Sequence, residues 1–166
     1  MSKQRILNSL KDALKSKKRT QKQDIGRSYE HMVKNEATID EFKRKLVVNK
    51  TILLESSPET LVSDIKNLLK EINATKLIYG RSLGLDLGEL DIPTLTYTQT
   101  SNELGAGLFE YDTSIIHARA GVANMGTFCV TSSPDQPRLL SLTPKNSIVL
   151  LKKEDVKNNM NEVFES

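Results

Sequence analysis

The sequence predicts an α/β fold, an open and mainly parallel sheet with helices on both faces, preceded by a helical N-terminal extension. Three observations carry this expectation. Short apolar runs rich in β-branched residues alternate with amphipathic stripes through most of residues 51–166. Residues 51–79 read as strand, helix and strand, a crossover that requires a parallel pair. The charge also changes sign near residue 50: residues 1–50 carry 14 Lys and Arg against 6 Asp and Glu, whereas residues 51–166 carry 10 against 15. The boundaries that follow are a basic helical extension over 1–50 and an α/β domain over 51–166.

Taken in order, Ile6, Leu7, Leu10, Ala13 and Leu14 recur at three- and four-residue spacing and predict a helix over 3–16. The polar, self-repelling stretch from Lys15 to Asp24 reads as a linker or turn. A second helix starts near Arg27 and carries Tyr29, Met32 and Val33. Thr38-Ile39-Asp40-Glu41 has the form of a capping box ahead of Phe42 and Leu46, predicting a helix over 39–46. Thr51-Ile52-Leu53-Leu54 reads as a buried strand. Ser57 then caps, Pro58 takes the first helical position, and Leu61, Ile65, Leu68, Leu69 and Ile72 form the stripe of a helix that stops by Asn73.

Further strands are expected over 75–79, 95–99, 114–118, 127–130 and 147–151, with residues 83–88 as loop. Residues 153–164 close the chain as one helix with Val156, Met160, Val163 and Phe164 inside.

A length of 166 residues, 37% hydrophobic and 27% charged, with a mean hydropathy of −0.40, suits one globular domain and excludes a collagen, a mucin or a wholly disordered tail. No apolar run approaches the roughly 18 residues that cross a bilayer, and Met1-Ser2-Lys3-Gln4-Arg5 leads into no apolar signal core. A cytoplasmic protein without a membrane span is expected. The basic first third suits a solvated helix face or attraction to an anionic partner. Nucleic acid is not expected, because no aromatic residue stands beside the run from Lys15 to Arg19 and the chain has no Trp.

Cys129 is the single cysteine, so it closes no intramolecular disulfide and builds no zinc or iron-sulfur site alone. It reads as a small buried hydrophobe. His31 and His117 have no Cys-x-x-Cys or His-x-x-x-His spacing around them, so no metal site is expected, and His117 reads as a core residue of its strand. Neither a Walker A pattern nor Gly-x-Gly-x-x-Gly occurs.

The least generic stretch runs from Ile115 to Leu151. Small residues allow close backbone approach to a ligand, and hydroxyls at a strand end suit an anionic oxygen. Asn124, Gly126 and Thr127, with Ser132, Ser133 and a cation from Arg138, are therefore candidate ligand-binding residues. The same residues also fit a plainer arrangement in which Gly126 serves a turn, Ser132 or Ser133 caps the helix after Pro134, and Arg138 pairs at the surface. Gly80, Arg81 and Ser82 follow a strand, where ligands of open α/β sheets collect, and form a second candidate group or a plain turn.

The run Ile115-Ile116-His117-Ala118-Arg119-Ala120-Gly121-Val122-Ala123-Asn124-Met125-Gly126-Thr127, the strand Phe128-Cys129-Val130, Ser132-Ser133-Pro134, and Leu140-Ser141-Leu142-Thr143-Pro144 before residues 147–151 together resemble the lactate utilisation protein C, or LUD-domain, family. The likeness extends more weakly from about Phe42 to Phe164. It implies a NagB/RpiA/CoA-transferase-like fold and a subunit or accessory factor of L-lactate oxidation to pyruvate. The resemblance further implies that redox centres, iron-sulfur clusters above all, lie in partner proteins and that this chain holds no cofactor of its own. Two positions depart from the family. Asn124 stands where its Glu-Thr-Gly-Thr tetrad is acidic, with Met125 in place of the Thr, and Arg119 reverses the charge of an acidic position five residues earlier. A neutral amide is no general base. Related CoA-transferases use a Glu nucleophile, and Glu103 before Gly105-Ala106-Gly107 is its candidate counterpart, or else simply starts a helix capped by Ser101. The alternatives are thus a small-molecule enzyme of the CoA-transferase or sugar-phosphate isomerase type, and a structural adaptor.

Overall fold

The structure, a computed structural model, describes residues 3–16, 36–98 and 101–166. The chain divides into two units, Met1–Asn35 and Glu36–Ser166. In the first, α1 (Lys3–Ser16) forms where the apolar spacing places it, with Ile6, Leu7, Leu10 and Leu14 all exposed. Of the stretch from Lys15 to Asp24 expected as a linker, Lys15 and Ser16 are instead the last residues of α1; the remainder, from residue 17, and the helix expected from Arg27 lie outside the described residues. Among those described, no helix is long and apolar enough to cross a membrane.

The second unit opens with α2 (Thr38–Val48), which a boundary at residue 50 assigns to the extension. Its buried face, Phe42 and Leu46, instead packs on Ala123, Phe128, Leu151 and Val156, with the rings of Phe42 and Phe128 edge to face at 5.6 Å. The expected capping box does not form, because Ala37 is the N-cap and makes no side-chain cap. Thr38 lies inside the helix and its hydroxyl donates to Asn158 Oδ1 at 2.6 Å.

After α2, residues 51–57 form no strand. The apolar run that reads as a buried strand is exposed, Ile52 at 64%. The helix it follows is committed to the far part of the unit, and Glu55 is held by Lys43 and Lys153. The crossover expected over 51–79 is thereby reduced to helix and strand. A turn over residues 58–60 precedes α3 (Leu61–Glu71), so this helix begins later than Ser57 and Pro58 suggest, with Thr60 as N-cap.

Four parallel strands make the main sheet in the order β2-β1-β3-β6. These are β1 (Leu77–Gly80), β2 (Thr94–Tyr97), β3 (Thr113–His117) and β6 (Asn146–Leu150). Alternation sends Leu77 and Ile115 to one face, where Ile65 and Leu69 of α3 and Leu83 cover them. It sends Ile78 and Ile116 to the other, against Tyr97, Leu108 and Leu140. The helical cover there comes from α4 (Ser101–Leu104), a 3₁₀ segment over Gly105–Glu110, and α5 (Leu139–Leu142). Helices on both faces of an open parallel sheet are what the alternating pattern predicts.

Asp112 ties the sheet together at its amino end. Its carboxylate accepts from Thr75 N (2.9 Å) and Oγ1 (2.6 Å), Lys76 N (3.3 Å) and Thr113 Oγ1 (2.9 Å). Burial pushes this carboxyl upward, but the bonds from Thr75, Thr113 and Lys76 outweigh it and hold it below the usual range.

A second sheet, ordered β5-β4-β7, comprises β4 (Ala120–Val122), β5 (Thr127–Cys129) antiparallel to it, and β7 (Val156–Lys157) parallel. The single closing helix expected over 153–164 is therefore interrupted. Residues Lys153–Asp155 make one 3₁₀ turn, Val156 and Lys157 pair with Gly121 and Val122, and only then does α6 (Met160–Glu165) begin, capped by Asn159 Oδ1 on the amides of Asn161 and Glu162. Strand pairing takes the two residues that the helical stripe would use.

Hydrogen bonds and charge from Lys153 first, then Lys43, draw the Glu55 carboxyl from its ordinary 4.5 down to about 2. A depressed value means that this attraction is complete above the ordinary carboxylate range and is lost only as pH falls through about 2. A carboxyl ¹³C NMR titration should give a Glu55 midpoint near 2, moving upward in Lys153→Met; a midpoint near 4.5 contradicts the clamp.

Candidate ligand-binding crevice at the carboxyl ends of the sheet

The carboxyl ends of β1 and β3 are bridged by the chain that leaves β5. Gln136, 7% exposed, is the bridge. Its Oε1 accepts from His117 N at 2.7 Å and its Nε2 donates to His117 O at 2.9 Å and to Thr131 O at 3.5 Å. A buried carboxamide thus satisfies both backbone groups of the last β3 residue, which has no further strand partner on that side. The loop closes on itself as well. Ser133 N donates to Gln136 O (3.1 Å), Ser133 Oγ accepts from Gln136 N (3.0 Å), and Ser132 Oγ accepts from Arg138 N (3.2 Å).

Glycine at position 80 is what lets the loop sit this close. A Cβ there would lie 2.3 Å from the Asp135 carbonyl oxygen and 3.3 Å from Gln136 Cα, both backbone atoms with nowhere to go. Beyond Gly80, Arg81–Leu83 form one 3₁₀ turn. Arg81 Nε stands 3.9 Å from Asp135 Oδ1, a loose pair with both side chains more than half exposed. The structure therefore brings together Gly80, Arg81 and Ser82 with the loop that holds Ser132, Ser133 and Arg138.

Asn124, Gly126 and Thr127 do not join them. They occupy the β4–β5 turn, at the opposite end of the hairpin from Ala120 and Cys129, about 10 Å further along at 3.3 Å per residue. The turn is bound to α2 and β7. Asn49 Nδ2 donates to Met125 O (3.0 Å) and Gly126 O (2.8 Å), and the amides of Ala123 and Asn124 donate to Lys157 O and Asn158 O. Gly126 has φ +61, and a Cβ there would meet the Lys45 carbonyl carbon at 2.7 Å. Asn124 Oδ1 is buried with no hydrogen-bond partner. At Gly126 the small residue serves a turn and a close helix contact.

His117 is exposed, not a core residue, because it ends β3 beyond the packed part of the sheet. Its Nε2 lies 3.0 Å from the Leu83 carbonyl oxygen, an acceptor, so that nitrogen carries a proton. Sequence reading missed both His117 and Gln136 as crevice residues. Cys129 is half-buried beside Ala120, Val122 and Val163. Glu103 is exposed in α4, after β2, and Arg119 is also exposed.

Chemically the crevice offers hydrogen-bond donors. The hydroxyls of Ser132 and Ser133 already accept from backbone amides, which leaves each O–H free to donate. Arg81 and Arg138 are permanent cations with the fork geometry that matches a carboxylate, and the Arg138 guanidinium has no ion-pair partner among the described residues. Among these residues there is also no group of three or more His, Cys, Asp or Glu placed to hold a metal. A separate cleft of about 600 Å³ lies at the amino ends of β1 and β2, lined by Lys66, Leu69, Asn73, Thr75, Leu90 and Ile92 among others.

The family model for the LUD domain matches residues 39–166. A crystal structure of a DUF162 family protein from Deinococcus radiodurans, solved at 1.70 Å, is similar with a TM-score of 0.66, at 18% identity over 77% of this chain and 76% of that one, a likeness of fold alone. No curated protein matches the chain.

Gln136→Ala strands the amide and carbonyl of His117 and should lower stability by about 1–3 kcal/mol. Urea denaturation should show it as a lower midpoint at unchanged slope; an unchanged midpoint contradicts the bridging role.

Proposed function

The chain belongs to the LUD-domain family, whose broad role is lactate utilisation, and from that premise we propose that it is a subunit or accessory factor in the oxidation of L-lactate to pyruvate, binding a small carboxylate in the crevice at Arg81, Ser82, Ser132, Ser133 and Arg138. The observation that carries the reading is two guanidinium groups and two free-donating serine hydroxyls on chain segments bridged by Gln136 at the carboxyl ends of β1 and β3. Open α/β sheets bind ligands at this end. A hydroxycarboxylate presents two oxygens to a guanidinium fork and a hydroxyl to a neighbouring acceptor. In its neutral form the His117 ring, held by Nε2 on Leu83 O, carries an acceptor at Nδ1.

In this reading the protein binds and orients, and the electrons of lactate pass to iron-sulfur centres in partner proteins. Its donor set lacks what a cluster needs, since Cys129 is the single cysteine. Asn124, a neutral amide where the resembled family is acidic, is no general base and stands in the β4–β5 turn, apart from the proposed carboxylate site.

Deletion of the gene should abolish growth of its own host on L-lactate as sole carbon source, and the wild-type chain should restore it. A variant with Arg81→Ala and Arg138→Ala should restore growth poorly while remaining folded. Affinity capture of the tagged wild-type chain should recover proteins with iron-sulfur absorbance. Unimpaired growth of the deletion strain contradicts the proposal, and full rescue by the double variant contradicts the assigned crevice.

A further inference from the structure

We propose that residues 52–54 form a docking edge for an extended, acidic segment of a partner protein, added as a β-strand beside them. Ile52, Leu53 and Leu54 run without helix, turn or bend, and their backbone groups make no hydrogen bond among the described residues. Their composition is that of a strand. Both ends are tethered: Thr51 N donates to Leu46 O at 2.9 Å, and the Glu55 carboxylate is gripped by Lys43 from α2 and by Lys153 at 2.8 Å. A held, unbent strand sequence with open donors and acceptors is the template that strand addition uses.

Exposed apolar side chains flank it in the chain. Val47 and Val48 end α2, Asn49 pins Met125 beside that end, and Ile52 to Leu54 follow directly. Val47, Val48, Met125, Ile52, Leu53 and Leu54 are between 38% and 68% exposed. Lysines accompany them. Lys43 and Lys153 share the Glu55 carboxylate, Lys45 packs against Gly126 beside Met125, and Lys50 precedes Ile52 by two residues, so two of the four lysines carry no counter-charge among the described residues.

That charge selects the occupant. A second copy docked about a two-fold axis would set these lysines against their equivalents, a costly arrangement. A lipid surface would leave the open backbone groups without partners in hydrocarbon, and these side chains include no aromatic residue to sit at an interface. An extended acidic segment satisfies the backbone, the apolar side chains and the lysines together.

The test uses the full chain and a fluorescein-labelled heptapeptide of alternating Glu and Val, read by anisotropy. Saturable binding is expected. It should weaken tenfold or more for the Lys-for-Glu peptide, for the peptide N-methylated at alternate amides, and for the chain with Lys45→Glu and Lys50→Glu. Ladder amides point outward at alternate residues, so one of Ile52→Pro and Leu53→Pro should also weaken it tenfold, with far-UV circular dichroism unchanged. Phe164→Ala, at an exposed residue elsewhere, should leave binding unaltered. Absence of saturable binding, binding indifferent to both prolines, capture by phosphatidylserine vesicles in place of the peptide, or self-association that the prolines abolish would each overturn the proposal. None of these readouts depends on lactate, so they stand apart from the crevice.

Discussion

The carboxyl end of the main sheet depends on one side chain. A parallel strand that stops at His117 leaves an amide and a carbonyl at the sheet's edge, and Gln136 answers both with a single carboxamide. That two-point bridge draws residues 131–138 back across β1, where only a glycine at position 80 leaves room for the Asp135 carbonyl. The loop's own polar groups are arranged around it: Asp135 toward Arg81, Ser133 under the Gln136 amide, and Ser132 under the Arg138 amide. A buried polar group left without partners is costly, so the bridge holds the loop in one arrangement.

How far the fold could be read from the sequence follows how local each signal is. The stripes of α1 and α3 and the β-branched runs of β1, β3 and β6 are periodic over their own length, and each became the predicted element within one to three residues. Two readings failed for tertiary reasons. Residues 51–54 have strand composition, but a strand needs a neighbour, and the clamp on Glu55 holds the run where it has none. Val156 and Lys157 continue a helical stripe, but Gly121 and Val122 offer them a ladder. Periodicity reports what a segment can do alone and is silent on what lies beside it.

The two candidate groups differ in what the sequence shows of their placement. Gly80, Arg81 and Ser82 follow a strand and Ser132, Ser133 and Arg138 share a short loop, both local features; that the two segments meet is a property of the fold. The run of small residues at 120–127 permits close backbone approach, which the fold uses to pack α2 against the Gly126 turn. Gln136 carries no sequence signal of its own. Its role appears only when the loop is laid over β3, and the same is true of His117, whose place at the end of an apolar strand looks internal until the strand is seen to outrun its cover.

The account turns on where a small carboxylate meets the protein. Amide chemical-shift mapping of the ¹⁵N-labelled chain during titration with L-lactate tests this most directly. The predicted result is saturable shifts concentrated in residues 80–83, at His117 and across 131–138, lost when Arg138 is replaced by Ala. Shifts centred on the β4–β5 turn at 123–127, or on the cleft formed by residues 66–75 and 89–92, would contradict it.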